Sequence, residues 1–566
     1  MRSLRWLLGA ATVAVTLGLT ACSGGGAPLT ASSAAPGGAT AASSTGGGDR
    51  LLNVYNGGSG QFTLNLNPLA QGTPILTGAR GMIYETLMFF NQAKADDVQP
   101  VLATGYKVGD DGESITFTLR EGVKWSDGKP FTAEDVAFNF RYRRDHEELN
   151  TGGAKIEDAE VLSPTQVKIS FAEKIYMQVW QIAGKTYMLP KHIWEKIDDP
   201  VKRTNDKPIG TGPFLMGDFV PESYTMLKNP NYWDAGKPKI AGVRFWTFNN
   251  NESASQALLA GKLDWAGIWM PDPDKQYAAK DPEHNHYNND SFQYITNLVP
   301  NLTKAPMNEL AVRQAVNAAI DREQLIKLAF AGLGTPTTLL ELPQPVFRDY
   351  VSPKYVSAKL EHDPAKAMQI LTAAGYTKDG EGYFAKNGKR LTITCHVVSG
   401  WSDFISAMQV IRQQLKEVGI EFKSKAVSFS AYTDIGQKGD FQMFIGNAWG
   451  GPHPYFFYDN ILHSNGFPPK KQNMARYENK AVDDALDTIK VTPPEQQDTV
   501  KQALFTIQDH LVADIPYIPL QQPAGLTNYR TQYFTGFPTE DSPYAATASG
   551  SDPDVGIVAK TVEPVK

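Results

Sequence analysis

The chain has 566 residues, of which 20% are charged, and its formal net charge at pH 7 is -6. Such a length is sufficient for two or three domains, and the negative charge argues against nucleic acid as a partner. Because the chain has only 2 cysteines, a disulfide framework is excluded, and a large hydrophobic core must stabilise the fold.

The N-terminal residues 1–21 have the layout of a secretory signal peptide. Arg2 and Arg5 give a positive start, and the uncharged run at 7–19 is too short for a comfortable membrane span. The sequence Leu-Thr-Ala-Cys at 19–22 resembles a bacterial lipobox, so we expect cleavage before Cys22 and a diacylglycerol on its thiol. The alternative is an ordinary signal peptide that a cysteine follows by chance.

The segment 22–49 contains almost no large apolar residue. It cannot form a hydrophobic core and is therefore predicted to be a flexible tether. Lipid and tether together would hold the body of the protein at the cell membrane, on its extracytoplasmic face.

From residue 50 onward the hydrophobic pattern changes repeatedly between the period of a strand and that of a helix, which predicts an α/β body. Residues 114–119 (SITFTL) are predicted to form a strand, and WSDG at 125–128 a turn. Thr132 can cap a helix over 134–144, with Asp135 complementing the helix dipole in the first turn.

The second half of the chain continues this alternation. An apolar stripe over 312–320 indicates a helix. A second helix is expected after Asp363, with Pro364 as its first residue and Gly375 beyond its end.

A hairpin turn is predicted at Asn387 and Gly388. Cys395 follows in an alternating apolar run, which indicates a small buried residue in a strand. A helix is expected over 403–418, where apolar residues recur on one face.

The stretch 447–460 reads NAWGGPHPYFFYDN. Its glycines and prolines argue against a long regular helix or an inner strand. Neighbouring side chains diverge on helices and strands, so four consecutive aromatics, 455–458, are not expected to face one core. Some of the rings are therefore expected to face a ligand or another domain.

Several segments together resemble one known family. They read ITFTLREGVKWSDGKPFTAEDVAFNF, GTGPFLMGDFVPESYTMLKNPNYW, LLAGKLDWAG, MNELAVRQAVNAAIDREQL and HLVADIPYIPL, in this order. The chain is thereby similar to the family 5 extracellular solute-binding proteins of ABC importers, the oligopeptide- and dipeptide-binding type. The likeness spans essentially the whole chain after the tether.

The resemblance implies an α/β fold of the periplasmic-binding-protein-like type II (cluster C), with two lobes joined by a hinge and an additional N-terminal inserted domain. Lobe I would be discontinuous and comprise 50–90, 206–299 and 520–566. The inserted domain would span 91–205 and lobe II 300–519. In such a body Trp125, Trp194 and Trp233 belong to scaffold segments and are expected in the core.

The resemblance also implies a function. The protein would be a monomeric, extracytoplasmic binding lipoprotein that captures a small oligomeric ligand between its lobes. Hinge closure would then present the ligand to the ABC permease subunits. No cofactor is expected, and because the sequence shows no catalytic constellation, the protein is predicted not to be an enzyme.

The peptide-binding members have a motif resembling W-G-A-D-Y-P-D-P, whose aspartate pairs with the α-amine of the peptide. The chain keeps Trp449 and Gly450, followed by Gly451, but the aspartate position holds Pro452. Proline cannot accept a salt bridge, and the next carboxylate is Asp459. The usual amine anchor is therefore missing.

A second observation favours sugars. The segment 263–287 looks like the corresponding part of family members that bind cello- or chito-oligosaccharides, whose rings stack on aromatic side chains while their hydroxyls bind amides. The candidate ligand contacts are Trp265, Trp269, Trp401, Trp449, Tyr455 and Phe429 as aromatics, Asn249 and Asn447 as amides, and Gly450 and Gly451. An oligosaccharide is slightly favoured, and a peptide bound through its backbone remains the alternative.

Two other classes of protein are the alternatives to a transport binding protein. A secreted, membrane-anchored hydrolase would need a catalytic motif, but GGSGQ at 57–61 departs from the G-x-S-x-G pattern at its last position. His284 and His286 could chelate a metal, but without a clear third ligand nearby they are interpreted as loop histidines, and no metal is expected. A docking lipoprotein without a transport role is the other alternative.

Overall fold

The computed structural model describes residues 49–70, 75–94, 97–150, 153–289, 294–468 and 471–566. The predicted signal peptide, Cys22 and all of the tether except residue 49 lie outside these ranges. Within them, no helix combines the length and apolar character that a membrane crossing requires.

The strands are β1 Leu52–Ser59, β2 Met88–Phe90, β3 Val98–Pro100, β4 Ala103–Val108, β5 Ser114–Leu119, β6 Ile156–Ser163, β7 Gln166–Phe171, β8 Phe214–Val220, β9 Ser223–Lys228, β10 Gly242–Phe248, β11 Trp265–Ala266, β12 Asn285–Asn289, β13 Tyr294–Pro300, β14 Thr377–Lys378, β15 Phe384–Lys386, β16 Lys389–Arg390, β17 Thr392–Val398, β18 Glu421–Val427, β19 Met443–Trp449, β20 Ile518–Gln521, β21 Leu526–Arg530, β22 Phe534–Thr535 and β23 Glu563–Pro564. The α-helices are α1 Ala133–Asp145, α2 Lys191–Trp194, α3 Asn251–Leu259, α4 Pro273–Gln276, α5 Leu310–Ala319, α6 Arg322–Ala329, α7 Pro364–Ala373, α8 Ser402–Glu417, α9 Phe429–Lys438, α10 Pro454–Leu462, α11 Lys480–Val491, α12 Gln497–Asp514 and α13 Asp554–Thr561.

The larger sheet has seven strands in the order β12-β21-β11-β1-β10-β9-β8. Strand β1 runs parallel to β10 and β11, whereas β21 pairs antiparallel with both β11 and β12. Since β21 comes from the C-terminal part of the chain, this sheet unites early, middle and late segments. The chain must therefore leave this lobe and return to it.

The second sheet has five strands in the order β18-β17-β19-β13-β20. Strand β17 is parallel to β18 and β19, and β13 is antiparallel to β19 and β20. Helices α5 to α8 contribute their apolar faces to its core. Residues 294–300 form a strand of this sheet. The sheet therefore includes residues that precede the predicted start of lobe II at residue 300.

A third sheet of four strands, β4-β5-β7-β6, lies within the predicted inserted domain. Its strands pair antiparallel throughout, and α1 packs against β6 and β7. Trp125 and Trp194 are each 1% exposed, as expected for scaffold residues, and Trp233 packs partly buried against the same core.

Most of the local predictions are confirmed. The main-chain N–H of Thr132 donates to Asp135 Oδ2 at 3.0 Å, which closes a capping box at the start of α1. The Asp363 carboxylate accepts the Lys366 N–H at 2.8 Å and caps α7. Asn387 and Gly388 have φ values of 54° and 74°, which suit the hairpin between β15 and β16.

Two expectations for 447–460 are wrong: that it contains no inner strand, and that the rings at 455–458 do not share one core. Residues 447–449 end β19, which is the central strand of the five-stranded sheet, and α10 begins at Pro454 behind the cap of His453. All four aromatics at 455–458 are at most 8% exposed and belong to one hydrophobic cluster. Part of their cover is Trp180 of the predicted inserted domain, whose ring lies 4.5 Å from that of Phe456.

Candidate ligand-binding site

A cavity of about 420 Å³ lies where the seven-stranded and five-stranded sheets approach each other. This volume is in the range typical of small-molecule sites. Its lining from the first sheet and the segments around it comprises Asn56, Gly57, Asn251, Gly267, Trp269 and residues 523–527 and 547–551. The lining from the second comprises Tyr294, Thr296, Phe330, Leu333, Trp401, Asp403, Phe404, Asn447, Trp449 and Gln521.

The central strand β19 supplies two of these residues. Asn447 and Trp449 alternate with the buried Ala448 and therefore share one face of the sheet. Across the antiparallel ladder they stand opposite Thr296 and Tyr294. The rings of Tyr294 and Trp449 lie 4.3 Å apart with their planes at 37°, and Trp449 remains 42% exposed. Its indole is thus supported from behind and open towards a ligand.

The polar residues beside these rings, Thr296 and Asn447, are joined by a hydrogen bond. Thr296 Oγ1 donates to Asn447 Oδ1 at 2.9 Å. Because this bond occupies the amide oxygen, the Asn447 group best suited to a ligand is the Nδ2 donor. A ligand oxygen such as a hydroxyl is the matching acceptor.

Trp401 forms a second aromatic wall, in the turn between β17 and α8. Its ring lies 5.4 Å from Phe404, 5.9 Å from Phe429 and 5.6 Å from Tyr432. Rings on three sides fix the orientation of the indole, so a flat ligand face meets a preorganised surface.

Two polar atoms of lining residues lack a hydrogen-bond partner within the described part of the chain. They are the buried Trp269 Nε1 and Gln521 Oε1, one donor and one acceptor. An unmet buried polar atom costs about 1–3 kcal/mol. A ligand with hydroxyl groups could satisfy both.

Asp403 provides the single carboxylate of the lining, and no Lys, Arg or His is among the described residues that form it. It lies in the first turn of α8. Burial raises the pKa of the Asp403 carboxyl to about 6, although the main-chain N–H groups of Phe404 and Asp403 itself act in the opposite direction. The described residues of the lining therefore contribute at most one negative charge and no positive one.

Several predicted contacts lie elsewhere. Trp265 is 1% exposed, and its Nε1 donates to the Thr547 carbonyl oxygen at 2.9 Å, so it supports the cavity wall from the core rather than facing the cavity. Tyr455 is 5% exposed within the aromatic cluster of α10. These positions correct the interpretation of both residues as stacking platforms.

The two predicted glycines are packing positions. A Cβ on Gly450 would overlap the ring of Phe457, and one on Gly451 would approach Trp180 to 2.7 Å. Phe429, which is 51% exposed, and Asn249, exposed after β10, both lie outside the lining, although Phe429 contacts Trp401. Of the predicted contacts, the cavity brings together Trp269, Trp401, Asn447 and Trp449.

Other lining residues were missed from the sequence. Tyr294 and Thr296 alternate within YITNLVP, but only their pairing with β19 shows which face they share. Asp403 has the position of an ordinary first-turn carboxylate. Residues 547–551 follow no regular element, so nothing in their sequence places them beside the end of β1.

Comparisons with known proteins agree with this architecture. The model of the bacterial extracellular solute-binding proteins, family 5, matches residues 97–469. The glutathione-binding protein GsiB of Salmonella typhi is 28% identical over 477 residues, which cover 80% of this chain and 87% of the relative.

Two solved structures show the same fold. The oligopeptide-binding protein of the Thermotoga maritima ABC transporter, solved with mannohexaose, has a TM-score of 0.82 at 23% identity and covers 91% of this chain and 99% of its own. The oligopeptide-binding protein AppA of Bacillus subtilis, solved with a nonapeptide, has a TM-score of 0.77 at 21% identity and covers 92% of this chain and 100% of its own.

The chain therefore belongs to the family 5 bacterial extracellular solute-binding proteins. It has the type II periplasmic-binding-protein fold and is the solute-binding protein of an ABC importer. Members of this family bind solutes for transport and are not enzymes. The predictions of family, fold class and non-catalytic role are confirmed.

Proposed function

We propose that this family 5 solute-binding protein captures a short neutral oligosaccharide between its lobes and delivers it to the permease. The observation that favours this ligand is the composition of the cavity. Trp449, Trp401 and Trp269 offer aromatic surface beside amides and hydroxyls, without a cation in the described lining. Sugar rings present apolar C–H faces for stacking and hydroxyls for such polar groups.

Charged peptides fit this lining less well. The α-carboxylate of a free peptide would find no Lys, Arg or His among the described lining residues, and a desolvated charge without a partner is costly. Glutathione, which the name of GsiB gives as its ligand, has two carboxylates and would meet the same obstacle. The mannohexaose in the Thermotoga maritima relative supports the proposal, because a neutral sugar is accommodated there on the same fold.

A peptide is the second candidate, and Asp403 is the observation that favours it. Pro452 removes the usual amine anchor, but Asp403 places a carboxylate in the cavity from α8 instead. A peptide α-amine could pair with it, while the peptide backbone binds as an added strand. In this case a carboxylate of α8 anchors the amine, and position 452 has no part in it.

Membrane attachment and domain limits belong to the same proposal. Signal cleavage before Cys22 and lipidation of its thiol would retain a monomeric binding protein beside the permease. The segment 91–205 would form the inserted domain, and the lobes would follow the predicted limits, with lobe II extended to include β13. In a membrane fractionation, Cys22→Ser should move the protein from the membrane to the soluble fraction. If the variant stays at the membrane, the lipid anchor is wrong.

Calorimetry on the full-length protein tests the ligand. Cello-, chito- and manno-oligosaccharides would be titrated beside di- to pentapeptides and glutathione, after a thermal-shift screen. A ligand at a hundred times its Kd adds about 2.7 kcal/mol to the free energy of unfolding, enough to move the melting temperature.

The variants separate the two candidates. Sugar binding that is weakened by Trp449→Ala but not by Glu121→Gln, a change at an exposed carboxylate, supports the oligosaccharide. Peptide binding that is lost in Asp403→Asn supports the second candidate. Binding of peptides alone, unaffected by either cavity variant, would contradict both.

A further inference from the structure

A second cavity of about 340 Å³ lies apart from the ligand cavity and shares no lining residue with it. It is formed where three parts of the chain meet. These are residues 68–70 with Arg80, several residues of the predicted inserted domain between Phe140 and Tyr187, and Asp552 near the C-terminus. It is therefore a junction between lobe I and the segment 91–205.

Three cationic side chains line this junction cavity: Arg80, Arg143 and Lys185. Arg143 is 7% exposed, and burial lowers the pKa of its guanidinium to about 10, with the nearby Arg80 acting in the same direction. Burial also lowers the pKa of the Lys185 ammonium. Arg80 lowers the pKa of both Arg143 and Lys185 further, because like charges repel.

The hydrogen-bond partners of these cations are neutral. Arg80 donates to the Pro68 carbonyl oxygen at 3.1 and 2.7 Å, and Lys185 Nζ donates to the carbonyl oxygen of Asp552 at 2.6 Å. Arg143 donates to Asn139 O and Oδ1 and to the carbonyl oxygen of Tyr187. Within the described residues, none of the three cations forms an ion pair within 4.0 Å.

The negative groups nearby, Asp552 and Asp554, compensate this charge only in part. Asp552 is the one carboxylate among the described lining residues, so cations outnumber it even when it is ionised. Burial raises the pKa of the Asp552 carboxyl to about 6, opposed by Arg80 and Lys185 and reinforced by Asp554. Asp554 also acts on Lys185 while its Oδ1 accepts the Ala546 N–H at 2.9 Å, so two carboxylates stand beside three cations.

A further polar group in the lining has no partner. The Tyr187 hydroxyl is buried and makes no hydrogen bond to the described residues, and the residue is 5% exposed. The Arg80 guanidinium lies 5.7 Å from the centre of the Tyr187 ring. The Tyr187 O–H is a donor that lacks an acceptor, and Asp552 Oδ1 in the same lining is likewise without a partner among the described residues.

We propose that the junction cavity is a binding site for a small oxyanion, such as phosphate, sulfate or a carboxylate, held by Arg80, Arg143, Lys185 and the Tyr187 hydroxyl. The unprotonated oxygens of an oxyanion are acceptors, which matches this set of donors. It would neutralise buried positive charge that is otherwise costly. By contacting lobe I, the segment 91–205 and the C-terminal part at once, it would fasten the inserted domain to lobe I.

Calorimetry and thermal shift on the full-length protein test this site. Phosphate, sulfate and acetate would each be titrated in a buffer free of other oxyanions, with chloride at equal ionic strength as the reference. We expect at least one oxyanion to bind saturably and to raise the melting temperature. The three salts distinguish a tetrahedral anion from a carboxylate.

Tyr187→Phe removes only the unpartnered hydroxyl, so the fold should persist while the oxyanion Kd rises several-fold. Lys185→Gln should raise it at least tenfold. The control is Lys107→Gln, at a side chain that is 81% exposed, which should leave the Kd unchanged. A response no greater than that to chloride, or equal binding by wild type and both cavity variants, would overturn the proposal.

Discussion

The indole of Trp449 lies opposite the phenol ring of Tyr294 across the β13–β19 ladder, with 4.3 Å between the ring centres. One face of the indole is thus covered by protein, while 42% of the residue remains exposed at the cavity. An aromatic surface held in this way loses little freedom when a ligand stacks on it.

Trp449→Ala is expected to weaken ligand binding while leaving the fold intact. An aromatic pair is worth about 0.5–1.5 kcal/mol beyond its buried area, so the Kd should rise at least several-fold. Calorimetry with the ligand found in the screen measures the change. Trp449→Phe should restore part of the affinity, because it keeps a ring at the same position. Equal affinity in all three proteins would show that the ligand does not stack here.

Asp403→Asn should stabilise the ligand-free protein at neutral pH. The folded-state pKa of about 6 lies above the ordinary aspartate value of 3.8, so the folded state retains a proton that the unfolded state releases. Stability is therefore lost as pH rises from about 4 to about 6, and asparagine removes this loss.

The measurement is the melting temperature of wild type and Asp403→Asn at pH 4, 5, 6 and 7. The advantage of the variant should be absent at the lowest pH and reach about 1–3 kcal/mol above pH 6. A difference that is constant across the series would mean that Asp403 does not titrate in this range.

Gly450→Ala is expected to destabilise the second lobe. The added Cβ would overlap the Phe457 ring, which is 1% exposed in the cluster around α10 and cannot move freely. Such overpacking costs about 1–3 kcal/mol. Urea unfolding should show this loss, and the double variant with Phe457→Leu should recover part of it. Gly105→Ala is the control, because a Cβ there has no atom within 4 Å. A midpoint of Gly450→Ala equal to that of this control would contradict the steric interpretation.

The sequence predicts local structure well where the signal is local. The cap at Thr132, the start of α7 at Asp363 and the turn at Asn387 each depend on a few adjacent residues, and all are confirmed. The stretch 447–460 is different, because its glycines and aromatics have meaning only through distant partners. Gly450 is small because Phe457 fills the space beside it, and part of the cover of Phe456 is Trp180, which is distant in the sequence.

The cavity shows the same division. Trp449 and Asn447 could be proposed from a family motif, whereas Asp403 and Tyr294 could not, because their place in the lining depends on how two sheets meet. Trp265 is buried and so does not face the cavity. The sequence around it, LDWAG, does not indicate which face of the short strand is covered. Contacts between residues that are distant in the sequence are thus the part of the site that could not be predicted.

Tyr232→Phe should destabilise the protein through a buried carboxylate. The Tyr232 hydroxyl donates to Glu85 Oε1 at 2.7 Å and Trp233 Nε1 donates to Oε2 at 2.9 Å, while Glu85 is only 4% exposed. Burial raises the pKa of the Glu85 carboxyl, against the influence of Lys560 and these donors. Removal of one donor leaves an oxygen of Glu85 unsatisfied in the core, which costs about 1–3 kcal/mol.

The matched control is Tyr355→Phe, since Tyr355 also donates its hydroxyl to a carboxylate, that of the exposed Asp509. Water can replace that bond, so the change in the free energy of unfolding should stay within about 0.5 kcal/mol. Urea unfolding of both variants beside the wild type measures the contrast. If the two substitutions cost the same, burial of Glu85 does not determine the strength of its hydrogen bonds, and the core position assigned to it is wrong.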